Sequence, residues 1–252
     1  MIKLRLSKFE PLQRIEFAFV LLPDNQTLNK LHILAQKIDS LLQSLSVRTD
    51  IPHKWGLYCN QKLKLPHLSI GQYGILGTDI DILDELVKDI SARTPIIKQK
   101  MNTHLTMIDG YIFFDSADVF EHVNENIRDA YIGLRECYMK RIHTKFPITQ
   151  MTFAKKKFCN DKNELALIDQ HFQNWGTPEY NRMRPHFTMH YHPPFQIEEM
   201  QAALNSSDDI KNQIKELSNI DLIRIGVVPI DTFGNPMDTY ALSLHPLASQ
   251  LS

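Results

Sequence analysis

One short pattern occurs twice in this chain and limits what the chain can fold into. Pro66-His67-Leu68-Ser69 is answered 119 positions later by Pro185-His186-Phe187-Thr188. In a β-strand, residues i and i+2 point to the same face. Each copy therefore sets an imidazole beside a hydroxyl on one face and turns one apolar side chain, Leu68 or Phe187, to the other. A fold that brings the two strands together gathers two imidazoles and two hydroxyls in one cleft. Among eleven histidines, about one His-x-Ser/Thr is expected by composition. Three occur, the third being His104-Leu105-Thr106, so the tripeptide alone says little. With proline in front the expectation falls below about 0.1 per chain, and two copies are rarer still. Proline also suits the first residue of a strand, where no ladder N–H is needed.

The rest of the chain is read around that pair. Glu16 to Pro23 predicts a buried strand stopped by proline, after which Asp24 or Asn25 can cap a helix. Leu28, Leu31, Leu34, Ala35, Ile38, Leu41, Leu42 and Leu45 then recur at helical spacing, with His32 at the core edge. A short strand is expected at 53–60, and the first motif strand at Pro66–Tyr73. On that strand alternation puts His67, Ser69, Gly71 and Tyr73 on one face, with Gly71 leaving room for a ligand. Thr78 or Asp79 is expected to cap a second helix. A long strand over 96–108 follows, then an Asp109-Gly110 turn and a returning strand from Tyr111. Ser116 is expected to cap a third helix carrying Val119, Phe120, Val123, Ile127, Ala130, Tyr131, Leu134 and Tyr138 at helical spacing.

The stretch 143–183 is the least regular. It holds Lys155-Lys156-Lys157, a short helix at about 161–173, and Trp175 and Tyr180, which with Tyr73 and Phe187 are the candidates for stacking. Tyr180, Arg182 and Arg184 lead into the second motif, and cations there would favour an anionic substrate. Beyond Thr188, simple alternation places His190 and His192 on the face of His186. That row raises a metal site as an alternative, although the row alone supplies no carboxylate or thiolate. Helical patterning over 196–217, broken near Asn205-Ser206-Ser207, precedes strands at 220–230 and 240–245.

Composition narrows the classes. A net charge of −1 gives no global field to attract a long nucleic acid, so a short RNA end or a small nucleotide fits better than a duplex. Cys59, Cys137 and Cys159 form neither a C-x-x-C nor an even framework, and read as reduced thiols in a cytoplasmic protein. The apolar run from Ile15 to Leu22 is short and holds Glu16, so it reads as a strand and not as a membrane span. No partner protein is implied, and a monomer is expected.

Paired His-x-Ser/Thr motifs, each opening a strand and set about half a domain apart, resemble the 2H phosphoesterase superfamily near its 2′-5′ RNA ligase-like, cyclic phosphodiesterase branch. The signature stretches are Leu65-Pro66-His67-Leu68-Ser69-Ile70 and Arg184-Pro185-His186-Phe187-Thr188-Met189. The resemblance implies an α+β, bilobal fold over 1–252. It would have two antiparallel sheets related by a pseudo-twofold, helices outside and a central cleft, with about 143–183 as an added segment. It implies hydrolysis of a 2′,3′-cyclic phosphate or 2′-5′ phosphodiester of RNA or a nucleotide, with no metal and no cofactor. His67 would act as general acid and His186 as general base, with Ser69 and Thr188 holding phosphate oxygens. Tyr73, Arg184, His190 and Tyr191 are the further candidates for substrate contact. The family often carries an arginine beyond the second hydroxyl, and Tyr191 occupies the nearest place here. A cleft that binds an RNA end or nucleotide phosphate without cleaving it is the second reading. A metal-dependent hydrolase built on the histidine row is the third.

Overall fold

The computed structural model describes residues 14–45, 47, 65–108, 110–117, 124–142, 161–163, 165–166, 185–231, 235–237, 241 and 243–249. In chain order the elements are β1 (Arg14–Pro23), α1 (Asn25–Ser44), β2 (Leu68–Leu76), α2 (Ile82–Arg93), β3 (Ile97–Ile108), β4 (Tyr111–Ser116), α3 (Glu125–Arg141), β5 (His186–Tyr191), α4 (Ile197–Ser206), α5 (Asp208–Glu216), β6 (Asn219–Pro229) and β7 (Ser243–Pro246).

The amphipathic run after Pro23 forms α1 as its spacing predicts. Asp24 caps it, accepting from the Thr27 amide at 2.8 Å and from the Thr27 hydroxyl at 2.9 Å. Leu31, Leu34, Ile38 and Leu42 form its buried stripe. Two helix starts differ from expectation. Gly77–Asp79 is a single 3₁₀ turn and α2 begins only at Ile82. Ser116 closes β4 rather than opening a helix, because its hydroxyl accepts from the Gln99 amide. Asn124 caps α3 instead, accepting from the Asn126 amide. The break near Ser206-Ser207 separates α4 from α5, whose cap is Ser207. The strand expected at 53–60 lies outside the described residues.

The strands form one antiparallel sheet in the order β1-β2-β5-β4-β3-β6-β7. β1 also pairs with β6, so the sheet turns back on itself. β6 makes this possible by sharing its length. Asn219–Leu222 pairs with β3, and the residues beyond pair with β7. Two separate sheets are therefore not what is seen: the strands are joined in one. Apolar side chains of all the named helices meet one face of this sheet in a single core. Ala18, Val20, Leu22, Leu65, Val228 and Ile230 form a smaller cluster on the other face. Among the described residues, no helix is long and apolar enough to cross a membrane.

The two motif strands meet at one recorded register point, Leu68 opposite Phe187. Both side chains are fully buried in the main core. Cutting Phe187 to alanine should cost about 3–5 kcal/mol, the usual range for an aromatic core truncation. Denaturant unfolding checks this, and a loss below about 1 kcal/mol would show that the junction does not depend on that contact.

Candidate functional site

With Leu68 and Phe187 turned into the core, their neighbours turn the other way. Antiparallel register then sets His67 beside Thr188 and Ser69 beside His186. The four motif side chains therefore share one face of the sheet and form one cluster. They lie neither on opposite sides of the molecule nor sealed away, since His67, Ser69, His186 and Thr188 all remain partly exposed.

A β-bulge follows each hydroxyl. On β2, Val20 pairs with Ser69 while Phe19 pairs with Gly71, which leaves Ile70 as the extra residue. On β5, Phe113 pairs with Thr188 while Ile112 pairs with His190, which leaves Met189 extra. A bulge adds one residue and so reverses which side chains face which way beyond it. Both extra residues are buried in the core.

These reversals correct three expectations. Tyr73 does not line the site. It sits in the core on Tyr138 (centroids 4.5 Å apart), Phe19 (5.9 Å) and Phe17 (6.2 Å). Gly71 makes room for that ring and not for a ligand, since a Cβ there would lie 2.8 Å from it. His190 turns away from His186 to the helix side, where its Nε2 meets Asp39 of α1 at 3.2 Å. The histidine row is thereby broken. His192 is buried, with Nδ1 2.8 Å from the Pro193 carbonyl. Among the described residues, no group of three or more His, Cys, Asp and Glu could hold a metal ion.

The same reversals bring two residues to the motif face. Tyr191 is one; it is buried, meets Tyr111 edge-on, and its hydroxyl donates to Asn235. Burial, then the nearby Tyr111 and Asp231, push its phenol well above the usual range. Gln72 is the other, paired with Ala18 and 8% exposed. Its carboxamide oxygen has no hydrogen-bond partner. Arg184, Lys155–Lys157, Trp175 and Tyr180 lie outside the described residues.

β4 supplies a neighbouring row that the motif reading missed. Asp115 pairs directly with His186, and Phe113 with Thr188. Asp115 is buried at 1% exposure, and the Phe113 ring lies 4.1 Å from the His186 ring. A signal was present: alternate positions of this strand are Tyr111, Phe113 and Asp115, aromatic and acidic where a solvated face usually carries small polar groups. His104 of the third tripeptide is exposed, and Thr106 pairs with Phe113.

His67 is held in a defined state. Its Nδ1–H donates to the Leu65 carbonyl at 2.8 Å, since a carbonyl can only accept. In the neutral ring Nε2 then carries the lone pair and accepts from the Ser69 hydroxyl at 3.0 Å. Burial lowers its pKa to about 4, against the Leu65 bond that favours the proton, and the charge of His186 lowers it further. The rings are thus close enough for a charge on one to act on the other.

Elsewhere, Ser243, His245 and Asp84 come together without the order of a catalytic triad. Ser243 and His245 both bond the same Asp84 oxygen, at 2.7 and 2.9 Å. Burial works against the Asp84 charge, but those bonds outweigh it and hold the carboxyl below its usual range. They tie β7 to α2.

No family model matches the sequence, and no curated protein sequence does. Among solved structures, that of Kluyveromyces marxianus Usb1 aligns over 93% of this chain and 96% of that one, with 8% sequence identity and a TM-score of 0.36.

His67 should also leave a trace in folding. Its pKa is lower folded than the 6.5 of the free side chain, so the unfolded chain binds more protons between about pH 4 and 6.5. Stability should therefore rise with pH across that window and fall as pH drops through it. His67→Gln should flatten part of that slope in denaturant melts. An unchanged slope would mean that His67 titrates normally in the fold.

Proposed function

We propose that this chain is a metal-independent phosphodiesterase that hydrolyses a 2′,3′-cyclic phosphate or 2′-5′ phosphodiester of RNA or a nucleotide. The observation that carries the reading is the meeting of two distant imidazoles, each beside its own hydroxyl, on one partly open face. This is the arrangement that the resemblance to 2H phosphoesterases implies.

The proton states suggest the order of events. Near neutral pH His67 is uncharged, with its Nε2 lone pair toward the site; that is a general base. That leaves His186 as the acid, opposite to the order implied by the resemblance. In cyclic phosphate hydrolysis, Nε2 of His67 takes a proton from water as the water oxygen attacks phosphorus. The P–O bond to one ribose oxygen breaks, and His186 protonates that oxygen. Ser69 leaves Nε2 when substrate enters and, with Thr188, donates to the non-bridging oxygens as their charge grows. One imidazole accepts a proton and the other donates one, so the scheme needs neither a metal nor a cofactor. A short RNA end is favoured over a duplex because the chain has no overall positive charge.

His67→Ala and His186→Ala should each lower turnover by about 10²–10⁴-fold, the usual worth of a placed proton-transfer group. Ser69→Ala and Thr188→Ala should each cost about 10²–10³-fold, and EDTA should change nothing. The assay is product analysis on 2′,3′-cyclic nucleotides, 2′-5′ oligoadenylate, ADP-ribose cyclic phosphate and 3′-5′ RNA. Turnover that survives loss of both histidines would overturn the reading. Tight binding without any product would replace it by a phosphate-binding module.

A further inference from the structure

His186 stands at the end of a row of rings carried mainly by β4. Phe113 lies 4.1 Å from the imidazole, with the two planes at 47°. Behind it, Tyr111 lies parallel to Phe113, 5.5 Å away at 8°. Tyr111 meets Tyr191 edge-on at 5.5 Å and 63°. Phe113 is thus held by Tyr111 on one side and meets the motif imidazole as well. It is only partly buried, so its ring is not there simply to fill the core.

We propose that Phe113 is a positioning residue that fixes the His186 ring and stabilises its protonated form, so that His186 rather than His67 holds the proton the leaving oxygen needs. The proposal rests on the acid–base reading above and deepens it by saying what separates the two roles. An aromatic ring within about 6 Å of a cation attracts it through the electron density of its face, more strongly where water is excluded. Among the described residues, Asp115 and His67 also bear on His186. Asp115 pairs with it from β4 and is buried, so its negative charge would act in the same direction. His67 approaches from β2, and a positive charge on either ring disfavours one on the other. The ring is the one contributor of the three that can be altered without changing any formal charge.

The test follows the titration of His186 by NMR in the full-length, ¹⁵N-labelled chain, and needs no substrate. Phe113→Leu should lower the His186 midpoint by about 0.4–1.5 pH units, the range expected for losing one cation–π contact. Phe113→Tyr should keep it near the wild-type value. Pentafluorophenylalanine at position 113 keeps the ring shape but reverses its charge distribution, so it should lower the midpoint at least as far as leucine. It also gives the answer if the leucine variant fails to fold. Where a substrate is turned over, the alkaline limb of the pH–rate profile should move down with the midpoint. An unmoved midpoint in the fluorinated protein, with a large fall in Asp115→Asn, would overturn the proposal and give the task to the carboxylate. If no phosphodiester is cleaved but the fluorinated ring still shifts His186, the functional reading fails and this inference stands.

Discussion

The apolar contact between Leu68 and Phe187 is where the two motifs are joined. Each side chain is fully buried, and burial of a residue of this size is worth about 1.5–3 kcal/mol. The polar side of the same strands offers less. A hydrogen bond such as that between Ser69 and His67 adds a net of about 0.5–1.5 kcal/mol. The partly exposed imidazoles and hydroxyls are therefore held in place mainly by the core behind them. The core can do this because a strand has only two faces: once Leu68 and Phe187 are committed inward, His67, Ser69, His186 and Thr188 have nowhere else to point.

The paired bulges at Ile70 and Met189 set the limits of that face. Without them, strict alternation would carry Tyr73 and His190 into the site and put Gln72 and Tyr191 in the core. With them, the core keeps Tyr73 among Phe17, Phe19 and Tyr138, and Asp39 keeps His190. Each motif thus offers one imidazole and one hydroxyl before the chain reverses its facing. The recurrence of the irregularity at the same offset in both strands matches the doubling of the motif itself.

Two histidines with the same local sequence end up in different surroundings. His67 is shielded and bonded to its own backbone at Leu65, so burial works against its proton. His186 stands across from Asp115 and against Phe113, both from β4. Acid–base chemistry needs such a difference, because two equal imidazoles close together would only split a proton between them. The difference lies in the neighbours that the sheet order brings in, not in the motifs.

Much of this protein was legible in its residues. Strand and helix periods located α1, the β3–β4 hairpin and the β6 strand, because burial of an apolar face leaves a period in the chain. The doubled Pro-His-x-Ser/Thr motif placed each imidazole beside its own hydroxyl, because that pairing depends only on the two-residue repeat of a strand. Ser116 and Asn124 are both good caps, and strand pairing with Met101, the backbone bond to Pro185 and the Gln99 carboxamide exclude the first. The bulges had no signature either: a single extra residue is tolerated or not according to what packs on both sides of it. The presence of Phe113 and Asp115 beside His186 is likewise a matter of strand order. Sequence by itself determined which residue types could do proton chemistry and which local face they share. Tertiary structure decided which neighbours they meet, since contacts between β2, β5 and β4 join residues that local periodicity cannot relate.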